Sequence, residues 1–395
     1  MGVHYLVRNL EHICGRLPFK ITFNTENNFK MESDPNINEY MQIGKGDLKY
    51  IGIDGSVIIH SKIISNNNNN NNTVYVKKST KRIVQTILHY VRMTIIYFNI
   101  FNKKNETLQE DKEIILHFVI DGKPPCNKNR RKILDEEGND KKDAYSLMPL
   151  DQKKKLHKKI IKYLYKELLS FNNKSNYRIK LLTNFNLNDK KRGEGEIELY
   201  RICQLLNKKF NSSPLAKNVI ISSDSDLVSL MLLHQDDNLV IISPLSKNIY
   251  ITNYKLVINA LNLKNKNQVI EYVLLHFIFF GSDYNLGLVS NPSDSKQKVI
   301  LNAVTEQLHN INDIGRNCKR KCLKRKYHDD YNDDEYNKNS QIDFLQKFKE
   351  LLIYEAICAF MYYYDIENGI NYLTKYSPRL YEKSEAKKYI SLLNF

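Results

Sequence analysis

Short runs of continuous apolar residues, each closed by polar ones, recur along the first two thirds of the chain. They are YIGID at Tyr50–Asp54, IILHFVID at Ile114–Asp121, RIKLLT at Arg178–Thr183, VIIS at Val219–Ser222 and LVIIS at Leu239–Ser243. Runs that stay apolar instead of alternating suit strands buried on both faces, as in a parallel sheet. Between them, helical periodicity predicts helices over Lys81–Phe101, Leu150–Leu169, Glu196–Lys209 and Asp226–Leu233. Strands alternating with helices predict an α/β domain, a central and mostly parallel sheet flanked by helices, with its ligand site outside the carboxyl ends of the strands. The most apolar stretch, Ile83–Phe101, still carries Gln85, His89, Arg92 and Asn99. It reads as a buried helix and not as a membrane span.

Two segments break this rhythm. Asn66–Asn72 is a seven-residue Asn run, which cannot bury apolar surface. Residues 316–340 hold a basic block followed by an acidic one, the composition of a solvated linker. The basic half also suits a nuclear localisation signal or an extra nucleic-acid contact. Beyond it, Ile342–Tyr364 and Arg379–Leu393 are apolar and helical in pattern. The expected organisation is an α/β domain over 1–310 with an unstructured insertion at 65–74, a charged linker at 311–341, and a small C-terminal helical part at 342–395 that packs back on the sheet or stands as an appendage.

Charge changes the picture next. The 395 residues include 60 Lys and Arg against 44 Asp and Glu, a net charge of +16. A surplus of that size favours a polyanionic partner, nucleic acid before membrane. Hydrophobic residues at 42% and charged residues at 26% exclude a wholly disordered chain. The six cysteines, at 14, 126, 203, 318, 322 and 358, form no zinc-like spacing and read as reduced thiols of an intracellular protein. The opening MGVHYLVRNLEHICGRLP is too polar for a secretory leader.

The acids carry the chemistry. Asp54 and Asp121 end the first two apolar runs, Asp224 and Asp226 follow the fourth, and Asp283 follows FIFFGS. Glu194 and Glu196 stand in GEGE at the start of a helix. A parallel sheet brings strand-end acids to one edge, where they repel one another unless cations neutralise them. Oxygen donors without His or Cys suit Mg²⁺ or Mn²⁺ and argue against Zn²⁺. Two such ions about 3.5–4 Å apart can activate a water and stabilise the leaving oxygen of a phosphodiester displacement. A pair such as DSD alone is common by chance; five acidic segments with matching flanks are not.

In these segments the chain resembles the 5′-nuclease superfamily, specifically the XRN-type 5′→3′ exoribonucleases, with flap endonucleases as the sister group. MGVHYLVRNL is similar to the family's N-terminal motif, and YIGIDGSVIIH to the segment that places the first metal-binding Asp and, six residues on, a His. FVIDGKPP resembles the second Asp motif, RGEGEIELYRI the GEGE motif with Ile197 in place of a His, NVIISSDSDLVSLMLL the DxD motif, and YVLLHFIFFGSDYNLGL the last. The motifs run in family order over about residues 1–290.

The resemblance implies a PIN-like fold and a Mg²⁺-dependent 5′→3′ exonuclease that degrades single-stranded nucleic acid, RNA before DNA. It implies that Asp54, Asp121, Glu194 and Glu196 hold one metal, and that Asp224, Asp226 and Asp283 hold or support the other. It also implies that His60 stacks on the terminal base and that Lys128 meets the 5′ phosphate. Beyond Lys128 the pattern departs, with Asp135 at an expected basic position and Arg130, Arg131 and Lys132 placed early. After Asp283, NLGLVSNPSDSKQKV lacks the glycine pattern by which flap endonucleases grip duplex DNA. The chain also has no Trp for the XRN stacking position. A more open, less processive enzyme follows, or one completed by a protein partner. The rival readings are a flap-endonuclease-like DNA nuclease and an inactive nucleic-acid-binding scaffold of the same fold.

Overall fold

The computed structural model describes residues 21–23, 29–31, 46–63, 65–66, 73–102, 112–122, 145, 148–174, 176–185, 193–209, 216–245, 248–261, 263, 265–282, 284–286, 353–368, 371 and 373. Lys128, Arg130, Arg131, Lys132, Asp283, the expected linker and the stretch Arg379–Leu393 lie outside them.

The five predicted strands form, and they form one parallel block. They are β3 (Asp47–Asp54), β6 (Lys112–Val119), β7 (Tyr177–Thr183), β8 (Ala216–Ile221) and β9 (Leu239–Leu245). Three further strands extend the sheet antiparallel beyond β9: β1 (Ile21–Phe23), β2 (Phe29–Met31) and β10 (Asn248–Asn253). The order is β2-β1-β10-β9-β8-β3-β6-β7. Single-residue alternation across the block explains why its runs looked uniformly apolar. Ile51, Ile53, Val219, Ile221, Val240 and Ile242 enter one core, whereas Ile220, Leu239 and Ile241 enter the other.

Helices cover both faces. On one lie α1 (Gly55–Lys62), α2 (Val76–Asn102) and α3 (Leu150–Asn172), packed through residues such as Ile59, Ile87 and Ile160. On the other lie α4 (Gly195–Lys209), α5 (Asp226–His234), α6 (Tyr254–Ala260), α7 (Lys266–Phe280) and a helix, α8, described over 353–364. This is the α/β architecture the pattern predicts, a mostly parallel central sheet with helices on both faces. Among the described residues, no helix is long and apolar enough to cross a membrane. Cys203 and Cys358 are buried in the core.

Two differences from the sequence reading, and one choice between its alternatives, have physical causes. Asp121 does not end its strand: β6 stops at Val119 and the acid follows two residues later. The Asn-rich segment is closed at its base, because β4 (Ser65–Asn66) pairs with β5 (Thr73–Val74), and 67–72 lies outside the described residues. Helix α8 belongs to the core of the α/β unit: Ala356, Ala359, Phe360 and Tyr363 are buried in the same cluster as Tyr200 and Leu230. A short hairpin of β11 (Gly281–Ser282) with β12 (Asn285–Leu286) closes α7.

Within the parallel block the chain starts at β3, builds to one side through β6 and β7, then crosses back to β8 and β9 on the other side. The strand order therefore reverses between β3 and β8. At such a reversal the outgoing connections part and leave a crevice at the carboxyl edge.

Candidate metal centre

Asp54 ends β3 inside that crevice and is almost wholly buried, at 1% exposure. It is also the N-cap of α1: one carboxylate oxygen accepts the backbone N–H groups of Ser56 (3.0 Å) and Val57 (3.3 Å). Its other oxygen accepts the Ser222 hydroxyl at 3.0 Å, and Ser222 Oγ in turn accepts the Asp224 N–H at 3.1 Å. One serine thus ties the ends of β3 and β8 together.

Asp121 is set by backbone restraint. Ser56 Oγ accepts the Asp121 N–H at 2.9 Å. The buried Asn184 amide accepts the Ile120 N–H at 3.1 Å and donates to the Ile120 carbonyl at 2.9 Å. It extends the β6–β7 pairing beyond its last register pair, Phe118 with Thr183. Its remaining N–H donates to Glu198 at 3.0 Å.

The Asp121 carboxylate accepts the Gly195 N–H at 2.8 Å, at the first turn of α4. A Cβ on Gly195 would lie 2.8 Å from that same oxygen, so a side chain there would push α4 off the acid. Gly55 is similarly confined, since a Cβ would come within 2.5 Å of the Val119 carbonyl.

Glu196, in the first turn of α4, completes the group. Asp54, Asp121 and Glu196 each offer a carboxylate oxygen, and the three oxygens all lie within 4.8 Å of one another. Asp54 and Glu196 are buried and Asp121 is exposed, so the cluster opens to solvent on one side. Helices α1, α4 and α5 all begin at this edge, and helix N-termini favour negative charge.

That favour does not offset the crowding. Burial, then the charge of Asp121, lifts the Asp54 pKa to about 7 against the pull of its Ser222 and Val57 bonds, with Asp224 adding to the rise. Burial, then the charges of Asp224, Asp54, Asp121 and Glu194, raises Glu196 well above the ordinary carboxyl range. Three hard oxygen donors held this close, without His or Cys among them, fit a divalent cation of the Mg²⁺ or Mn²⁺ class.

The other acids are placed differently. Glu194 and Asp226 are buried, at 3% and 2% exposure, and each meets a tyrosine of α8. Tyr362 donates to Glu194 at 2.8 Å and Tyr363 to Asp226 at 2.5 Å. Tyr284 packs edge-on against Tyr362 with ring centroids 4.9 Å apart. Burial is the first cause that lifts the pKa of both α8 phenols; Glu194 for Tyr362 and Asp226 for Tyr363 come next, so they stay protonated donors. Asp224 lies between the two groups: its charge acts on Asp54 and Glu196, and its side chain accepts the Asp226 N–H at 3.2 Å.

Among the nucleic-acid residues expected from the sequence, His60 is described. It is exposed near the end of α1, its ring edge-on to Tyr145 at 4.8 Å. Tyr145 in turn bonds His157 at 2.6 Å and lies under Lys153.

Sequence reading missed Ser56, Ser222, Asn184, Tyr362 and Tyr363. The serines carried a local signal, each within two residues of a motif acid. The tyrosines carried none, being 168 and 137 residues from their partners. A buried pair stands further back: Tyr50 bonds His117 at 2.9 Å, and burial pushes the His117 pKa down to about 4. The 3.7 Å approach of His117 to Glu198 is thus no ion pair at neutral pH.

No family model and no curated protein sequence matches the chain. Among solved structures, the catalytic core of Rad2 in complex with DNA substrate is similar at a TM-score of 0.41 and 16% identity, over 95% of this chain and 86% of that one. A second Rad2 complex with DNA substrate matches at 0.41 and 15%, over 99% and 100%. A bacteriophage T5 flap endonuclease in complex with DNA and metal ions matches at 0.37 and 14%, over 87% and 98%. At that level of overlap, the chemistry of this chain rests on the positions of its own acids.

Proposed function

We propose that the chain is a divalent-cation-dependent nuclease that hydrolyses phosphodiester bonds of single-stranded nucleic acid from the 5′ end, RNA in preference to DNA. The observation that carries this reading is the convergence of Asp54, Asp121 and Glu196 within 4.8 Å at the reversal point of the sheet. The XRN-like wording of YIGIDGSVIIH and GEGE favours RNA, and the net charge of +16 suits a polyanionic substrate.

Asp54, Asp121 and Glu196 would hold the cation, with Asp224 beside them. Asp224, Asp226 and Asp283 would form the wall for a second. Mg²⁺ or Mn²⁺ bound there supplies Lewis-acid polarisation of the scissile phosphate and acidifies an attacking water. The chain's own part is positional. Ser222, Ser56, Asn184 and Gly195 hold Asp54 and Asp121 so that little reorganisation remains when charge develops. Asp121 is the exposed acid of the three and meets an incoming strand first. His60, on the helix that Asp54 caps, would stack the terminal base, and Lys128 with Arg130, Arg131 or Lys132 would hold the 5′ phosphate.

The test compares labelled 5′-monophosphate RNA, 5′-hydroxyl RNA, single-stranded DNA and flap DNA in Mg²⁺. Stepwise loss of the 5′-monophosphate RNA is expected, abolished by chelator and by Asp121→Asn. Preference for flap DNA would move the reading to a structure-specific DNA nuclease. No cleavage, together with no divalent binding by calorimetry, would leave a nucleic-acid-binding scaffold.

A further inference from the structure

Helix α3 carries an outer face the site chemistry does not use. Its core stripe is Leu156, Ile160, Leu164 and Leu168. On the opposite side stand Lys154, Lys158 and Lys162 at successive i,i+4 positions, all exposed, continued by Tyr165 at 57% exposure. Lys155, Lys159 and Lys166 widen this row on one side, and Tyr163, 43% exposed, stands beyond them at the far edge of the face. Over the whole helix the acids are Asp151 and Glu167, of which Asp151 pairs with Lys155 at 3.7 Å on the surface.

Two features separate this face from a merely solvated one. Like charges at i,i+4 destabilise a helix, by about 0.2–0.5 kcal/mol per pair, whereas a surface shaped for solubility alone interleaves both signs. Exposed tyrosines among lysines add flat stacking surfaces that solubility does not call for.

Topology fixes where the row leads. Helix α3 joins β6 to the parallel neighbour β7, and its last residues turn directly into the amino end of β7. Its first turn therefore lies at the carboxyl edge, beside the acids. The contacts agree: Lys153 lies over Tyr145, Tyr145 touches His60, and His60 sits on the helix that Asp54 caps.

We infer that the outer face of α3 is a docking track for the phosphodiester backbone of a single strand, with Lys154, Lys158 and Lys162 on phosphates and Tyr165, in line with them, on a base. It rests on the nuclease reading in one respect, that the strand it holds is the one delivered to the acids.

The test is the triple variant Lys154→Ala, Lys158→Ala, Lys162→Ala in the full chain. Alanine is a strong helix former, so α3 persists, which circular dichroism checks. Binding of fluorescent oligouridine and oligothymidine is followed by anisotropy in chelator, across a KCl series, where no cleavage occurs. Three lost contacts should lower the slope of log affinity against log salt by about 2. Affinity at low salt should fall at least about tenfold in the same variant. A loss for one polymer only names RNA or DNA as the strand taken.

Unchanged slope and affinity, or no binding by the unaltered chain, overturns the inference. Lysine-dependent binding by a chain that cleaves nothing would keep the track and sink the nuclease reading. Normal cleavage with an unchanged KM in the triple variant would do the reverse.

Discussion

The acidic crevice has two flanks built on opposite principles. On the first, Asp54, Asp121 and Glu196 are held by serine, asparagine and backbone N–H groups, yet their oxygens crowd within 4.8 Å of one another. On the second, Glu194 and Asp226 each spend an oxygen on a buried tyrosine hydroxyl. Burying a carboxylate is costly in both cases. The second flank sets a tyrosine hydroxyl against that cost; the first has donors of its own but also crowds its carboxylates together, and burial with that crowding raises the Asp54 and Glu196 pKa values. An arrangement that is unstable alone and chelating in shape is what a cation site requires, and the tyrosine flank keeps the rest of the wall rigid around it.

The sharpest way to break this contrast is Asp121→Asn. The residue is exposed, so the fold should hold, with melting of the metal-free protein unchanged or raised as one crowding charge is removed, while turnover drops by at least about a hundredfold, the scale of losing one preorganised electrostatic partner. Full activity in this variant would end the functional role of the first flank.

The next test uses pH. An Asp54 carboxyl that shifts from 3.8 to about 7 on folding binds more protons in the folded state across that window. Its contribution to stability is complete below pH 4 and lost as pH rises through 7. Glu196 shifts in the same direction. The metal-free protein should melt lower at pH 8 than at pH 5 in proportion to these shifts, and Mg²⁺ should restore stability at the higher pH by binding the folded state. A metal-free protein that gains stability over that rise would contradict the crowding.

Tyr363→Phe probes the second flank. It keeps the ring and leaves Asp226 buried without that donor, a cost of about 1–3 kcal/mol readable by denaturant unfolding. Cation affinity at Asp54, Asp121 and Glu196 should stay within about twofold, less than 0.5 kcal/mol. A large loss of cation affinity would merge the two flanks into one site.

His60→Ala is the mildest change. Its exposed ring contributes less than about 0.5 kcal/mol to stability, so melting should not move. Stacking a terminal base would show as a several-fold rise in KM, and an unchanged KM would remove His60 from the substrate path.

Much of this was legible in residue order. The buried runs announced the five parallel strands because strands covered on both faces have no polar side to display. Asp54 was legible as a strand-end acid because β3 ends with it, and Glu196 because α4 begins beside it. Strand β10 was not, since NIYITN alternates weakly and its pairing depends on β9 folding back. The closeness of Asp121 to Gly195 was hidden too, because it depends on where two chain turns come to rest 74 residues apart.

Local spacing along the chain thus settled the kinds of element, the sheet's parallel core and most of the acids, since periodicity and strand ends are properties of neighbours. Which acids meet, which are tied down, and that α8 reaches them were settled by packing. Tyr362 and Tyr363 find Glu194 and Asp226 because the core places α8 against α4 and α5, and hydrophobic burial has no memory of distance along the chain.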